Sequence, residues 1–520
     1  MKDIVVVGGG TAGWLAALYM KKLNVEANIT LVKSDKIGIL GAGEGSTPHL
    51  VDFLKCIDIS EYDLIRYTNA TYKLGINFEN WHGDGTSYFH GFAFSDDRFD
   101  DINAAANSSI IPQIVAQGKN LDDYNFSYQL ARRRKTGFLP AARYSHADKN
   151  LFEQDFDYRI NNIMRTDDSS ARYSLHFDAI ELASYFEDVA RHRGVNVVEG
   201  LVHNVQLDSD EYIDYLELDN GAKINVDFLF DCTGFHRLVT GKVYNSEWIS
   251  FSEQLPMKEA QPFFLPRNSD PEPWTQAIAQ ESGWIWKIPL QHRYGCGYVY
   301  DTDYISRDEV IDSIREQYPS AEIPDRVFKF NAGYFKTPLV KNSLAIGLAG
   351  GFVEPLEATS IFSFLEQLIV FENSNIFELL VNADARKECS NAIRLATDTV
   401  NKKCENVSVD IACFIQLHYL TERQDTDFWR QYRTKSEQFE FVEARLEQLN
   451  YGDLNTLAQQ NNFNPLFGKE SWSTVGAGLR HIKTDRINYN DVDLENLRFN
   501  IDKNVDRFIS QRDVITLCKS

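Results

Sequence analysis

Asp3-Ile4-Val5-Val6-Val7-Gly8-Gly9-Gly10-Thr11-Ala12-Gly13-Trp14 decides the fold. Apolar residues run without interruption from Ile4 to Val7, and Gly8, Gly10 and Gly13 then stand in the G-x-G-x-x-G pattern. Helical spacing follows over Trp14 to Lys22, and a second apolar strand is expected over Ile29 to Val32. The order strand, glycine turn, helix, strand is a βαβ opening. In it Gly8 permits the tight turn, Gly10 lets backbone approach a pyrophosphate, and Gly13 lets helix and strand pack closely. Thr11 and Ala12 lie in the same turn, ahead of a helix whose N-terminus favours a phosphate. The plain alternative, a glycine turn with no ligand, is weaker in this context. Lys33 departs from the pattern, because an acidic residue commonly ends the second strand to hold ribose hydroxyls. Asp35 is the nearest substitute.

Similar pieces recur far along the chain. Ile180 to Arg193 carries helical spacing, followed by Val195 to Val198 and alternating runs at Leu201 to Leu207 and Tyr212 to Leu218. Asn220-Gly221 marks a tight hairpin, expected to lead into Phe228-Leu229-Phe230, after which comes Asp231-Cys232-Thr233-Gly234. Leu344 to Leu348 reads as a third apolar strand, leading through Gly350-Gly351 toward a helix near Ser360 to Phe371. From about Asp384 helical spacing and charge dominate, so the expected division is residues 1–383 as core and 384–520 as a mostly helical C-terminal region. Ala93 to Lys149 yields no assignment.

Composition narrows the class. The formal charge of -22, from 53 basic and 75 acidic residues, argues against binding nucleic-acid phosphates or anionic lipid. Met1-Lys2-Asp3 runs straight into the first strand without a leader pattern, and no long apolar stretch suggests a membrane span. The seven cysteines are scattered with no metal-binding spacing, which fits a reduced cytoplasmic compartment and no metal.

Three further segments stand out. Gly283-Trp284-Ile285-Trp286-Lys287-Ile288-Pro289, as a strand, puts Trp284, Trp286 and Ile288 on one face as a wide apolar wall, although tryptophans so spaced are ordinarily core. Gly41-Ala42-Gly43-Glu44-Gly45-Ser46-Thr47-Pro48 reads as a loop of small residues. Thr71 to Phe78 alternates so that Leu74, Ile76 and Phe78 share one face and Lys73 lies on the other, where a lysine is ordinarily a solvated charge.

Gly-Trp-x-Trp-x-Ile-Pro is the signature of the flavin-dependent tryptophan halogenases, and the chain resembles that family from end to end. The resemblance implies an α/β fold: an FAD-binding, Rossmann-like core of the GR2 flavin monooxygenase type, with a β-sheet substrate region and a mostly helical C-terminal region completing the substrate site. It implies that Trp284 and Trp286 screen flavin from substrate, so that halide takes the oxidising equivalent. By the same resemblance Ala42, Gly43 and Glu44 form a strap between flavin and substrate sites, and Lys73 is the catalytic lysine. Asp231 and Gly234 look like the Asp-x-x-Gly turn of large FAD enzymes. The segment Leu348 to Ile361 looks like the second flavin and halide segment, with Leu348 and Gly350 on the cofactor. There Glu357 is the implied catalytic carboxylate, and Thr359 and Ser360 hold halide through backbone N–H groups. His90 and Phe92 resemble the pair whose rings sandwich the aromatic substrate; His176-Phe177-Asp178 resembles a structural or flavin-side element; Leu417-His418-Tyr419 looks family-like without an assigned role. Ala358 and Ser360 depart from the free-tryptophan members, which usually carry Ser and Gly there. The Tyr-Tyr doublet those members use to clamp the amino-acid moiety is absent.

The expected function is therefore halogenation of an electron-rich indole or phenol by reduced FAD, dioxygen and a halide (chloride, bromide or iodide). Hypohalous acid would be delivered through Lys73. A separate NAD(P)H-dependent flavin reductase is the implied partner, and homo-oligomers stay open. A flavin monooxygenase and a flavin-binding protein without turnover are the alternatives.

Overall fold

The computed structural model describes residues 2–38, 41, 43–92, 110–137, 172–435, 437–451, 466–483 and 493–519. Of the sequence readings, Ala42 and the parts of Ala93 to Lys149 at 93–109 and 138–149 lie outside them.

The dispersed apolar strands assemble into one sheet. Asp3–Val7 lies at its centre, paired in parallel with Asn28–Lys33 on one side and Phe228–Asp231 on the other. Asn196–Glu199 and Ser343–Ala345 continue the sheet in parallel, and Leu339–Val340 closes one edge antiparallel. Residues Ile4 to Val7 are buried on both faces, as expected of an apolar run in a covered parallel sheet. The helices Thr11–Leu23 and Ala179–His192 pack against each other beside this sheet; Asp178 caps the second by accepting from the Ile180 and Glu181 N–H groups.

Two sequence expectations are corrected in this region. The Asn220-Gly221 turn, with Gly221 at φ +79°, joins Ile213–Leu218 to Lys223–Asn225, and Phe228–Asp231 belongs instead to the central sheet. Asp227 ends the excursion by accepting from the Asp3 N–H at 2.7 Å. The third strand stops at Ala345, because Gly347 at φ +63° turns the chain into a short 3-10 turn, Gly347–Ala349.

A second, seven-stranded sheet carries the tryptophan segment. Its order runs Phe328–Lys329, Glu259–Pro266, Arg293–Tyr300, Gly283–Pro289, Thr275–Gln280, Gly75–Glu79, Ser87–Gly91. Trp284, Trp286 and Ile288 share one buried cluster while Ile285 packs on the opposite face. Trp286 crosses the sheet over Gly297, where a Cβ would lie 2.1 Å from the indole ring.

The alternating run Thr71 to Phe78 is not one strand. Thr71–Lys73 pairs with Ser174–Phe177, and Glu44–Gly45 pairs with the other edge of that strand, making a three-stranded sheet. At Leu74 the chain changes sheets: its N–H donates to Pro273 O at 2.8 Å and its carbonyl accepts from Phe92 N at 3.1 Å. Gly75 then packs so closely that a Cβ would lie 2.4 Å from His90 O. His176 ties the small sheet to the large one, with Thr71 Oγ1 at 3.1 Å and Thr275 Oγ1 at 2.9 Å.

Beyond Ala383 the described residues are mostly helical, including Ser390–Tyr419, Asp427–Lys435, Glu440–Tyr451, Lys469–Gly478, Leu494–Val505 and Gln511–Lys519. The C-terminal half of Ser390–Tyr419 buries Val407 to Tyr419 almost continuously against the cluster that holds both wall tryptophans. Among the described residues no helix is long and apolar enough to cross a membrane, and no group of three His, Cys, Asp or Glu could hold a metal ion.

Candidate active site

The glycine turn has the shape of a phosphate cradle. A Cβ on Gly8, at φ +127°, would meet Cys232 O at 2.1 Å, and one on Gly13 would meet Gly8 O at 1.9 Å, so both glycines are required by packing. Gly10 differs: among the described residues nothing stands within 4 Å of the position its Cβ would take. It precedes the helix Thr11–Leu23, whose first N–H groups receive no side-chain cap. Open space in front of unclaimed helix donors fits a pyrophosphate. The other turns converge here, since a Cβ on Gly347 would lie 2.9 Å from Ala12 Cβ. Asp231 shapes its own turn, accepting from Thr233 N, Thr233 Oγ1, Val239 N and Thr240 N at 2.6–3.2 Å. Gly234, at φ +61°, lets the chain reverse after it. Lys33 is ion-paired to Glu187 at 2.8 Å and to Asp35 at 3.2 Å, and the Asp35 side chain is 82% exposed.

The described part of the strap passes between this cradle and the tryptophan strand. Burial pushes the Glu44 carboxyl up to about 7, against the effect of the neighbouring Thr11 side chain, and Gly43, at φ +79°, packs so that a Cβ would lie 3.2 Å from Gly295 Cα and 3.6 Å from Ile288. Ser46, two residues past Glu44, reaches the lysine: its carbonyl accepts from Lys73 Nζ at 3.1 Å. Lys73 is completely buried, which contradicts the solvated position ordinary for a strand lysine. Among the described residues that bond is the only hydrogen bond of the Nζ ammonium, and Phe92 lies with its ring centroid 5.5 Å from Nζ. Burial pulls the ammonium pKa down to about 7, against the charge of Glu357, which raises it.

Glu357 is clasped between two histidines. His90 Nδ1 lies 3.0 and 3.1 Å from its two oxygens. His418 Nε2 lies 2.9 Å from Oε1, a charge contact bent away from full hydrogen-bond geometry. Burial alone would raise the pKa of Glu357, but the charge of His90 and the contacts of both histidines overcome it and hold the carboxyl at about 2. His418 is itself fully buried, which lowers its pKa despite Glu357; Tyr88 Oη sits 3.0 Å from its Nδ1, and Phe78 stacks on its ring at 4.4 Å. Thus His90 and His418 both contact Glu357, whereas Lys73 is joined to it, among the described residues, only through the charge that raises the lysine's pKa.

Sequence reasoning missed the aromatic surround. Phe414 and Phe467 stack on each other at 3.8 Å and lie 5.5 and 6.1 Å from the His90 ring. No local pattern connects them. Tyr88, by contrast, stands two residues before His90 in one strand, a spacing that puts both on one face. Past Glu357 the backbone turns sharply: Ala358 adopts the left-handed conformation at φ +56°, and Thr359 leads into the helix Ser360–Asn373 with no side-chain cap.

The family model described as tryptophan halogenase matches residues 3–489. The 7-chloro-L-tryptophan 6-halogenase KtzR of Kutzneria sp. (strain 744) is 31% identical over 462 residues, covering 83% of this chain and 82% of that protein. The tryptophan 7-halogenase RebH of Lentzea aerocolonigenes is 31% identical over 442 residues, covering 82% and 78%. Among solved structures, Xcc4156, a flavin-dependent halogenase from Xanthomonas campestris, superposes with a TM-score of 0.82 at 27% identity, covering 99% of this chain and 98% of that one.

Proposed function

Given that the chain belongs to the tryptophan halogenase family and is a flavin-dependent halogenase with the family's FAD-binding, Rossmann-like fold, we propose that it halogenates an electron-rich indole or phenol through Lys73 and Glu357. The observation that carries this reading is a fully buried lysine whose ammonium feels the charge of a buried, ionised carboxylate, Glu357. Burying an ammonium costs several kcal/mol unless it is well paired, and a single hydrogen bond offsets little of that. A group kept at such expense marks a functional site.

Gly8 to Gly13, Gly43-Glu44, the turn shaped by Asp231 and Gly234, and Leu348 to Gly350 would hold reduced FAD, which when bound would supply, with dioxygen and halide, the hypohalous acid. Lys73 donates its proton to the oxygen of that acid and polarises the O–halogen bond toward the ring. Glu357 takes the proton released from the ring carbon, and His90 and His418 keep it ionised until then. Thr359 and Ser360 offer backbone N–H groups to the halide, aimed by the left-handed turn at Ala358. Trp284 and Trp286 separate cofactor from substrate, while His90, Phe92, Phe414 and Phe467, the last two from the C-terminal region, flank the ring. Without a Tyr-Tyr clamp, a substrate other than free tryptophan is favoured. A separate NAD(P)H-dependent reductase supplies the reduced flavin.

Mass spectrometry of products from the protein, FAD, a reductase, NADH and air tests this, with indoles and phenols offered each halide separately. A halide-dependent mass shift supports halogenation; oxygen insertion without halide would replace it with monooxygenation, and flavin binding without any product with a non-catalytic role. Two finer results are expected. Gly10→Val should leave the melting temperature unchanged, because the side chain enters open space. It should nonetheless weaken FAD in a fluorescence titration by about 100-fold, or about 3 kcal/mol; normal affinity would displace the cradle. Product formation should fall as pH rises through about 7, where the ammonium of Lys73 is lost. A rate that rises there would assign transfer to the neutral amine as a haloamine.

A further inference from the structure

Three residues from separate parts of the chain meet behind the wall. Trp284 Nε1 donates to the Tyr419 hydroxyl at 3.0 Å and lies 3.4 Å from Glu354 Oε2, and Tyr419 Oη donates to that same oxygen in a very short contact. Glu354 is completely inaccessible, and Trp284 and Tyr419 are each 1% exposed. Tyr419 is wedged among Trp81, Trp429 and Tyr432, with ring centroids 5.1–6.2 Å away. Burial pushes the Glu354 carboxyl up to about 7, against the two donors, and its other oxygen has no partner among the described residues. A buried acid with half its capacity unmet is costly to keep for packing alone.

The connections explain why it is there. Glu354 immediately precedes the turn Pro355–Glu357, which ends on the catalytic carboxylate, and Tyr419 is the neighbour of His418. The second wall ring, Trp286, lies 6.3 Å from Trp284. We propose that Glu354 is a positioning residue for halogen transfer: through Trp284 Nε1 and the Tyr419 hydroxyl it locks the tryptophan wall to the turn carrying Glu357 and to the helix carrying His418. The inference rests on the proposed halogenation. Without the lock, the wall indole turns, and reduced flavin and dioxygen end as hydrogen peroxide instead of halogenated product.

The experiment compares Glu354→Ala, Glu354→Gln and Trp284→Phe, measuring FAD affinity, melting temperature, and product and hydrogen peroxide per dioxygen consumed. Glu354→Ala should bind FAD and consume dioxygen normally but yield about tenfold less product per dioxygen, with peroxide making up the difference. Glu354→Gln, whose amide oxygen still accepts a hydrogen bond, should restore at least about half the yield. Trp284→Phe should match Glu354→Ala, and the double variant should lose nothing more. The near-ultraviolet circular dichroism of Trp284, taken as the difference between wild type and Trp284→Phe, should vanish in Glu354→Ala and return in Glu354→Gln. Wild-type yield from Glu354→Ala would overturn the proposal, as would equal losses in Ala and Gln variants accompanied by weakened FAD binding and lowered melting temperature. If the wild type itself makes no halogenated product, the halogenation reading fails, while the dichroism still decides whether Glu354 holds Trp284.

Discussion

Lys73→Ala is expected to lower halogenated product by about 1,000-fold or more while FAD affinity and dioxygen consumption stay at wild-type levels. The reasoning is electrostatic. In a dry site a fixed positive donor stabilises charge developing on the leaving oxygen far better than water does, and Lys73 is the fully buried ammonium whose charge couples to Glu357. The fold should not suffer, because the substitution removes a buried ammonium that keeps one hydrogen bond, to Ser46 O. An unchanged or slightly raised melting temperature alongside lost activity is the pattern of a site whose strain is kept for function. Product analysis and thermal unfolding on the same preparation check both halves. Normal product formation would remove Lys73 from the mechanism.

Glu357→Gln, the second large effect, is expected to slow halogen transfer by about 100-fold in single turnovers, with FAD affinity preserved. The amide is isosteric but cannot take the ring proton. Wild-type Glu357 is ionised at every working pH, since its carboxyl sits at about 2. The loss should therefore be a constant factor at pH values below the Lys73 limb. The falling limb near pH 7 should move downward, because the charge of Glu357 is what raises the Lys73 pKa against burial. A transfer rate equal to wild type would show that water or His418 accepts the proton instead.

How much of this was readable beforehand follows from the range of each interaction. The cradle was readable because its determinants are local: Gly8 and Gly13 are demanded by contacts within one turn and its neighbouring strand, and Gly10 by the space it leaves. The tryptophan wall was readable because strand alternation alone places Trp284, Trp286 and Ile288 on one face. The same rule misled at Thr71 to Phe78, where the chain leaves one sheet for another at Leu74 and carries Lys73 inward. Alternation cannot report a change of sheet, since that depends on Pro273 and Phe92 as partners. The Asn220-Gly221 turn was found, but its partner strand was misassigned, because the turn specifies a hairpin without specifying where the next strand ends.

The sequence by itself determined the glycine turn and the face shared by Trp284, Trp286 and Ile288, written in short spacings that backbone geometry converts directly into a turn or a face, and its resemblance to the tryptophan halogenases supplied the family. Only the tertiary structure decided that Lys73 is buried, that His90 and His418 flank Glu357, and that Glu354 joins Trp284 to Tyr419. Those contacts join positions hundreds of residues apart or on separate elements, and their pKa shifts arise from burial and charge that exist only once the sheets and the long helix have closed around them.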